Sequence, residues 1–199
     1  LKSGSDATFA GSIGEQNTGT ATNYAKTGSG IWTLSGTGLW NGGTTVEQGT
    51  LELTGGSGGN GVLRGALTVN PTATVTLPTG GDGTGFGYNG GAKLDTLTIN
   101  SGTVNADSSH LWGTTVNMTG GTWTKTGGGN FIVGATGPGT LNQSAGLIDV
   151  QGGITWMGEG NTSNFTLAGS GEFRTSQMIL AANGSSISTV NLNGGTLRA

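Results

Sequence analysis

The sequence predicts an all-β chain folded as a parallel β-solenoid of roughly eight coils, each of about 24 residues with three short strands. Composition, alternation and internal repetition predict it. Gly fills 44 of the 199 positions, and Gly, Thr, Ser and Asn together fill 110, against 39 for Leu, Ile, Val and Phe. Such residues are poor in helix interiors, so long helices are excluded. Collagen is excluded because glycine does not fall at every third place and only three prolines are present. Low apolar content is a mark of disorder, but a Thr-rich chain with five Trp and a net charge of −3 lacks the others.

The repeats assign the elements in order. Leu97-Thr98-Ile99-Asn100-Ser101-Gly102-Thr103-Val104-Asn105 reads as an alternating strand, a turn of small residues and a second alternating strand. The phrase returns at 116–123, at 141–147 more loosely, at 165–173 with one extra residue and at 190–197. An earlier copy at 67–75 carries one insertion. The first apolar positions of these copies are Leu67, Leu97, Val116, Leu141, Phe165 and Val190. Between the copies lies a third apolar cluster: His110-Leu111-Trp112, Phe131-Ile132-Val133, Ile154-Thr155-Trp156-Met157 and Met178-Ile179-Leu180. Three strands per coil imply a triangular section.

In such a stack each strand pairs with its counterpart about 4.8 Å away, and small residues turn the corners without striking the next coil. Leu97, Ile99 and Val104 point inward, while Thr98, Thr103 and Asn105 face water. Asn70, Asn100 and Asn193 share the corner after the first strand. There Asn tolerates a left-handed backbone and bonds its neighbours in a ladder, which Thr119 and Ala168 interrupt. The chain reads as one continuous solenoid over 1–199, with Gly-rich loops at 55–62 and 79–91. Eight coils make a rod about 40 Å long whose end strands are open edges. The last phrase breaks off at Thr196-Leu197-Arg198-Ala199, which predicts continuation in a longer polypeptide or an assembly. With no initiator Met and no signal peptide at Leu1-Lys2-Ser3, the chain reads as a mature or excised piece of a precursor.

Residues 7–54 carry more specific motifs. Phe9-Ala10-Gly11-Ser12-Ile13-Gly14 is followed by Tyr24-Ala25-Lys26-Thr27-Gly28-Ser29-Gly30-Ile31-Trp32-Thr33-Leu34-Ser35-Gly36, then by Trp40-Asn41-Gly42-Gly43-Thr44-Thr45-Val46-Glu47-Gln48-Gly49-Thr50-Leu51-Glu52-Leu53. This order resembles the autotransporter-associated beta-strand repeat: a Lys-Thr-Gly opening, an alternating strand, Ser-Gly, an aromatic before Gly-Gly-Thr-Thr-Val, and Gly-Thr-Leu before a last apolar residue. Trp40 stands where the family usually has Tyr. The resemblance covers about a quarter of the chain. It implies a right-handed parallel β-helix in a large secreted or surface-displayed bacterial protein, often an autotransporter passenger. The repeat itself brings no catalytic residues. No set of ten-residue alternating strands with aromatic girdles signals an outer-membrane barrel, and no apolar run approaches the roughly 20 residues of a membrane helix.

Candidate chemistry is sparse. Without cysteine there are no disulfides, thiolate metal sites or cysteine nucleophiles. His110 is the single histidine and has no nucleophile elbow beside it, and no His pair forms a metal motif. The seven Lys and Arg are scattered and outnumbered by ten acids, which argues against nucleic acid. Asp82, Asp95 and Asp107, and later Asp149, Glu159 and Glu172, are the acids from which a polysaccharide-cleaving or Ca²⁺ site would have to be built. They read as solubilising charges. Gly55-Gly56-Ser57-Gly58-Gly59-Asn60-Gly61-Val62 resembles a single calcium nonapeptide with Asn60 at the ligand position. The run from Gly80 to Gly87 lacks the helix and Lys that phosphate binding needs. Trp32 and Trp123 read as core. Trp40, Trp112 and Trp156 are the candidate ligand platforms, since exposed aromatics stack on sugars.

The expected function is therefore non-enzymatic, with no cofactor and no metal: an extracellular or bacterial cell-surface stalk, adhesin shaft or filament subunit. Its expected partners are further copies or coils at the open ends, and cell-surface or matrix glycans. The competing expectation is a polysaccharide-binding module or a lyase-like β-helix enzyme.

Overall fold

The computed structural model describes residues 4–11, 13–14, 21–36, 38–39, 42–56, 61–78, 86–87, 93–107, 109–111 and 113–199. Over them run β1 (Ala7–Phe9), β2 (Ile13–Gly14), β3 (Tyr24–Lys26), β4 (Ile31–Leu34), β5 (Gly38–Leu39), β6 (Thr44–Leu53), β7 (Gly65–Leu77) and β8 (Leu94–Ala106). They are followed by β9 (Ser109–Leu111), β10 (Thr115–Lys125), β11 (Phe131–Val133), β12 (Gly139–Val150), β13 (Thr155–Met157), β14 (Ser163–Thr175), β15 (Met178–Leu180) and β16 (Ser188–Arg198). The described residues contain no helix. Every strand pair is parallel, as stacked coils require.

The chain is a parallel β-solenoid of about seven turns, close to the roughly eight that its length allows, each turn carrying one long strand: β6, β7, β8, β10, β12, β14 or β16. A second sheet stacks β9, β11, β13 and β15. The registers join the positions that the repeats align. Leu67 faces Leu97, then Val116, Leu141, Phe165 and Val190 in succession. On the second arm of the phrase, Trp32, Leu51, Val75, Val104, Trp123, Ile148, Phe173 and Leu197 form the matching column.

Two expected strands per turn run as one bent strand of 10 to 13 residues. The backbone keeps pairing around part of the bend, as at Gly49 with Ala73 and Ala168 with Asn193, and lapses between Val69 and Thr74 and between Gln143 and Leu147. Register shifts within these long strands fall mostly at the bend, where extra residues are taken up as bulges. Left-handed backbone at this corner falls on Ser101 (φ 60°) and on glycines, not on Asn70, Asn100 or Asn193. Gly121 shows why glycine is needed: its φ is +80°, and a Cβ there would lie 2.0 Å from the Gly102 carbonyl oxygen of the turn below.

Inward side chains make one thin core along the axis, from Leu34 and Leu51 to Phe165 and Phe173. Toward the C-terminal turns it becomes aromatic. Phe86, Trp123, Phe131 and Phe173 meet edge to face with centroids 6.2, 5.3 and 5.8 Å apart, and Phe165 lies 5.2 Å from Phe173. Phe86 falls in a segment expected as loop, as does Val62, yet both are buried. The rest of those two Gly-rich segments, 57–60, 79–85 and 88–91, lies outside the described residues.

Candidate functional site

At the corner between the two arms a chain of polar side chains runs along the axis. Asn70 Nδ2 donates to Glu47 Oε2 at 2.6 Å, Asn100 Nδ2 to Asn70 Oδ1 at 3.5 Å, and Thr119 Oγ1 to Asn100 Oδ1 at 3.3 Å. The structure thus brings Asn70 and Asn100 together between a carboxylate and a hydroxyl. Asn193 is exposed beside Ala168, three turns beyond Thr119. A second amide pair lies on the outer face of the first arm, where Asn142 Nδ2 donates to Asn117 Oδ1 at 3.0 Å. Their common place two residues after Thr115 and Thr140 was the available sequence signal.

Of the candidate platforms, Trp40 and Trp112 lie outside the described residues. Trp156 is half-buried in β13, in register between Ile132 and Ile179. Trp123 is fully buried and Trp32 packs against the core. His110 pairs through its backbone with Ile132.

The acids disperse over the surface. Asp95 meets Lys93 Nζ at 3.0 Å, Asp149 accepts from Gln151, and Asp82 lies outside the described residues. Glu172 Oε1 accepts from Arg174 Nε at 2.9 Å and from Arg198 Nε at 2.7 Å, and these hydrogen bonds hold its carboxyl below the usual range. Among the described residues no three His, Asp or Glu side chains gather as a metal cluster.

Two lysines are buried instead of exposed. Lys26 Nζ donates to the Gly28 carbonyl at 2.7 Å and to Gln48 of the next turn at 3.0 Å. Lys125 Nζ makes the same pair of bonds, to Gly127 and to Gly152 of the next turn. Both belong to a Lys-Thr-Gly tripeptide, 26–28 and 125–127, so one local phrase twice ties a corner to the turn above it. Burial pushes both ammonium groups below the ordinary lysine value, and Asp107 partly offsets this at Lys125. Sequence reading passes over them as polar residues in polar strands, although Lys125 shares the strand parity of Trp123.

At the C-terminal end β16 has a partner on one side only. Its apolar side chains are consequently uncovered: Leu192 is 57% and Leu197 37% exposed, although their counterparts Leu167 and Phe173 are buried.

Residues 25–53 match the model of the passenger-associated-transport-repeat family. They take in most of β3 and all of β4, β5 and β6, with Lys26 and its two carbonyl partners inside the match. This match and the parallel β-solenoid together support an autotransporter passenger repeat family. No curated protein and no solved structure matches it. The passenger repeat implies a secreted or surface location, and the family is not known as enzymatic. Among the described residues no helix is long and apolar enough to cross a membrane.

Proposed function

We propose that this chain is a non-enzymatic structural segment of a bacterial surface protein, a stalk, adhesin shaft or filament subunit whose function is its shape. The observation that carries this reading is the continuous succession of parallel pairings from β6 to β16, which makes every turn a template for the next. A stack joined by backbone hydrogen bonds at about 4.8 Å intervals is stiff along its axis without disulfides. The passenger repeat supports the exterior location.

A sharper form is that turns continue end to end, in a longer polypeptide or by strand addition from another copy. Light scattering and electron microscopy over a concentration series test it. Rods that lengthen with concentration, and shorten when Leu192→Lys is introduced, are expected. Short monomeric rods at every concentration would refute end joining. Whole-cell protease accessibility of the natural protein tests the surface location.

A further inference from the structure

The outer face of the first arm carries a pattern that a shaft does not require. Its outward positions read Thr-x-Thr at 96–98, Thr-x-Asn at 115–117 and 140–142, Asn-x-Thr at 164–166 and Thr-x-Asn at 189–191. The registers set these in two columns, Thr96 to Thr189 and Thr98 to Asn191, with no shift inside the arm over five successive turns. All ten positions are Thr or Asn, and none is ionisable.

Composition alone does not produce this. The second arm has the same alternation on the same strands, yet its outward positions include Asp149, Glu172, Arg174 and Arg198 over those turns. Charges therefore stand in the columns of the second arm and not in these two, at whose margin lies the Lys93–Asp95 pair. Spacing is fixed by the backbone at about 4.8 Å between turns and about 6.7 Å between alternate residues. Both intervals are close to oxygen repeats on the prism faces of hexagonal ice. Thr suits such a surface because branching restricts χ1, so hydroxyl and methyl keep fixed directions. Thr96, Thr98, Thr115, Thr140 and Thr166 are half-buried among their neighbours, and the Asn142 to Asn117 hydrogen bond orients two of the amides. Little conformational entropy remains to be lost on binding an ordered lattice.

We propose that this face binds ice: its uncharged, regularly spaced hydroxyls, methyls and amides order a layer of water that merges with the crystal. An uncharged array fits an uncharged lattice, whereas an anionic glycan or a nucleic acid would call for the cations the face lacks. Ice binding is independent of the end joining proposed above, since the face lies along the side of the stack.

The test is ice-crystal growth in solutions of the full chain, read as a gap between melting and freezing and as crystal shape. The wild type is expected to hold a measurable gap and to facet the crystals. Thr115→Tyr and Thr140→Tyr, checked by circular dichroism for intact β structure, are expected to lose most of it. Thr122→Tyr on the second arm is expected to keep it. Round, unfaceted crystals with no gap for folded wild type would overturn the proposal. So would a gap that survives both array variants or that Thr122→Tyr removes equally.

Discussion

The N-terminal turns and the turns from β8 onward are built on the same plan but not equally well. The passenger repeat at 25–53 holds the most specific motif in the chain, yet its first turn is divided into β3 and β4, of three and four residues. From β8 onward the motif thins to a generic phrase, while the long strands reach 11 to 13 residues. The core changes in the same direction, from Leu34, Leu51 and Leu53 to the edge-to-face contacts of Trp123, Phe131 and Phe173. The lesson is that a family signature and a regular stack are different properties. The first records particular corners and their Lys-Thr-Gly ties, whereas the second needs only apolar residues at a constant register and glycine where the next turn comes close.

That contrast can be broken most severely in the aromatic core. Trp123→Ala removes a fully buried side chain with ring partners on two sides and is expected to cost about 4 kcal/mol in urea unfolding. Leu51→Ala in the passenger repeat is expected to cost about 3 kcal/mol. Equal or reversed costs would remove the distinction between the two regions.

The corner comes next. Gly121→Val places a branched side chain at φ +80° against the Gly102 carbonyl, and a loss of about 3 kcal/mol is expected. Gly128→Val, with no neighbour within 4 Å of its Cβ position, is expected to change unfolding by less than about 0.5 kcal/mol.

Lys125→Ala is expected to cost about 2 kcal/mol, by loss of the buried stem and of the bonds to Gly127 and Gly152. Because burial lowers the Lys125 pKa, the folded chain holds that proton more weakly than the unfolded chain does. Stability therefore rises as pH climbs from the lowered folded value toward the ordinary 10.5, and Lys125→Met is expected to flatten that rise.

The smallest effect is expected at Glu172. Its pKa is depressed by Arg174 and Arg198, so its contribution is present above the ordinary carboxylate range and disappears as pH falls through the folded value. Glu172→Gln should leave thermal unfolding at neutral pH nearly unchanged and make acid unfolding slightly less steep.

Much of this fold is legible in the sequence because a solenoid converts spacing directly into contact. The column from Leu67 to Val190 can be aligned by eye, and the structure pairs those residues one to the next. Positions outside the repeated phrase are harder to read. Phe86 stands alone among glycines, with no alternation to assign its direction, and its burial and its contact with Trp123 place it in the core. Lys26 and Lys125 are hidden for a different reason: charge suggests solvent, while strand parity and two carbonyl acceptors place them inside. Asn100 is legible as a corner residue, but the left-handed backbone falls one position later, on Ser101, while the Asn100 amide reaches sideways to Asn70. The tryptophans are the least legible, since a lone tryptophan carries no period from which its direction or its neighbours could be inferred.

The absence of native cysteine allows the central claim, a single in-register stack, to be measured directly with spin-label pairs. One label at Thr45 and a second at Asn142, Thr166 or Asn191 lie in the same outward column, four, five and six turns apart. The account predicts pulsed electron resonance distances near about 19, 24 and 29 Å, an increment of about 4.8 Å per turn. Distances that fail to grow from one pair to the next would contradict it.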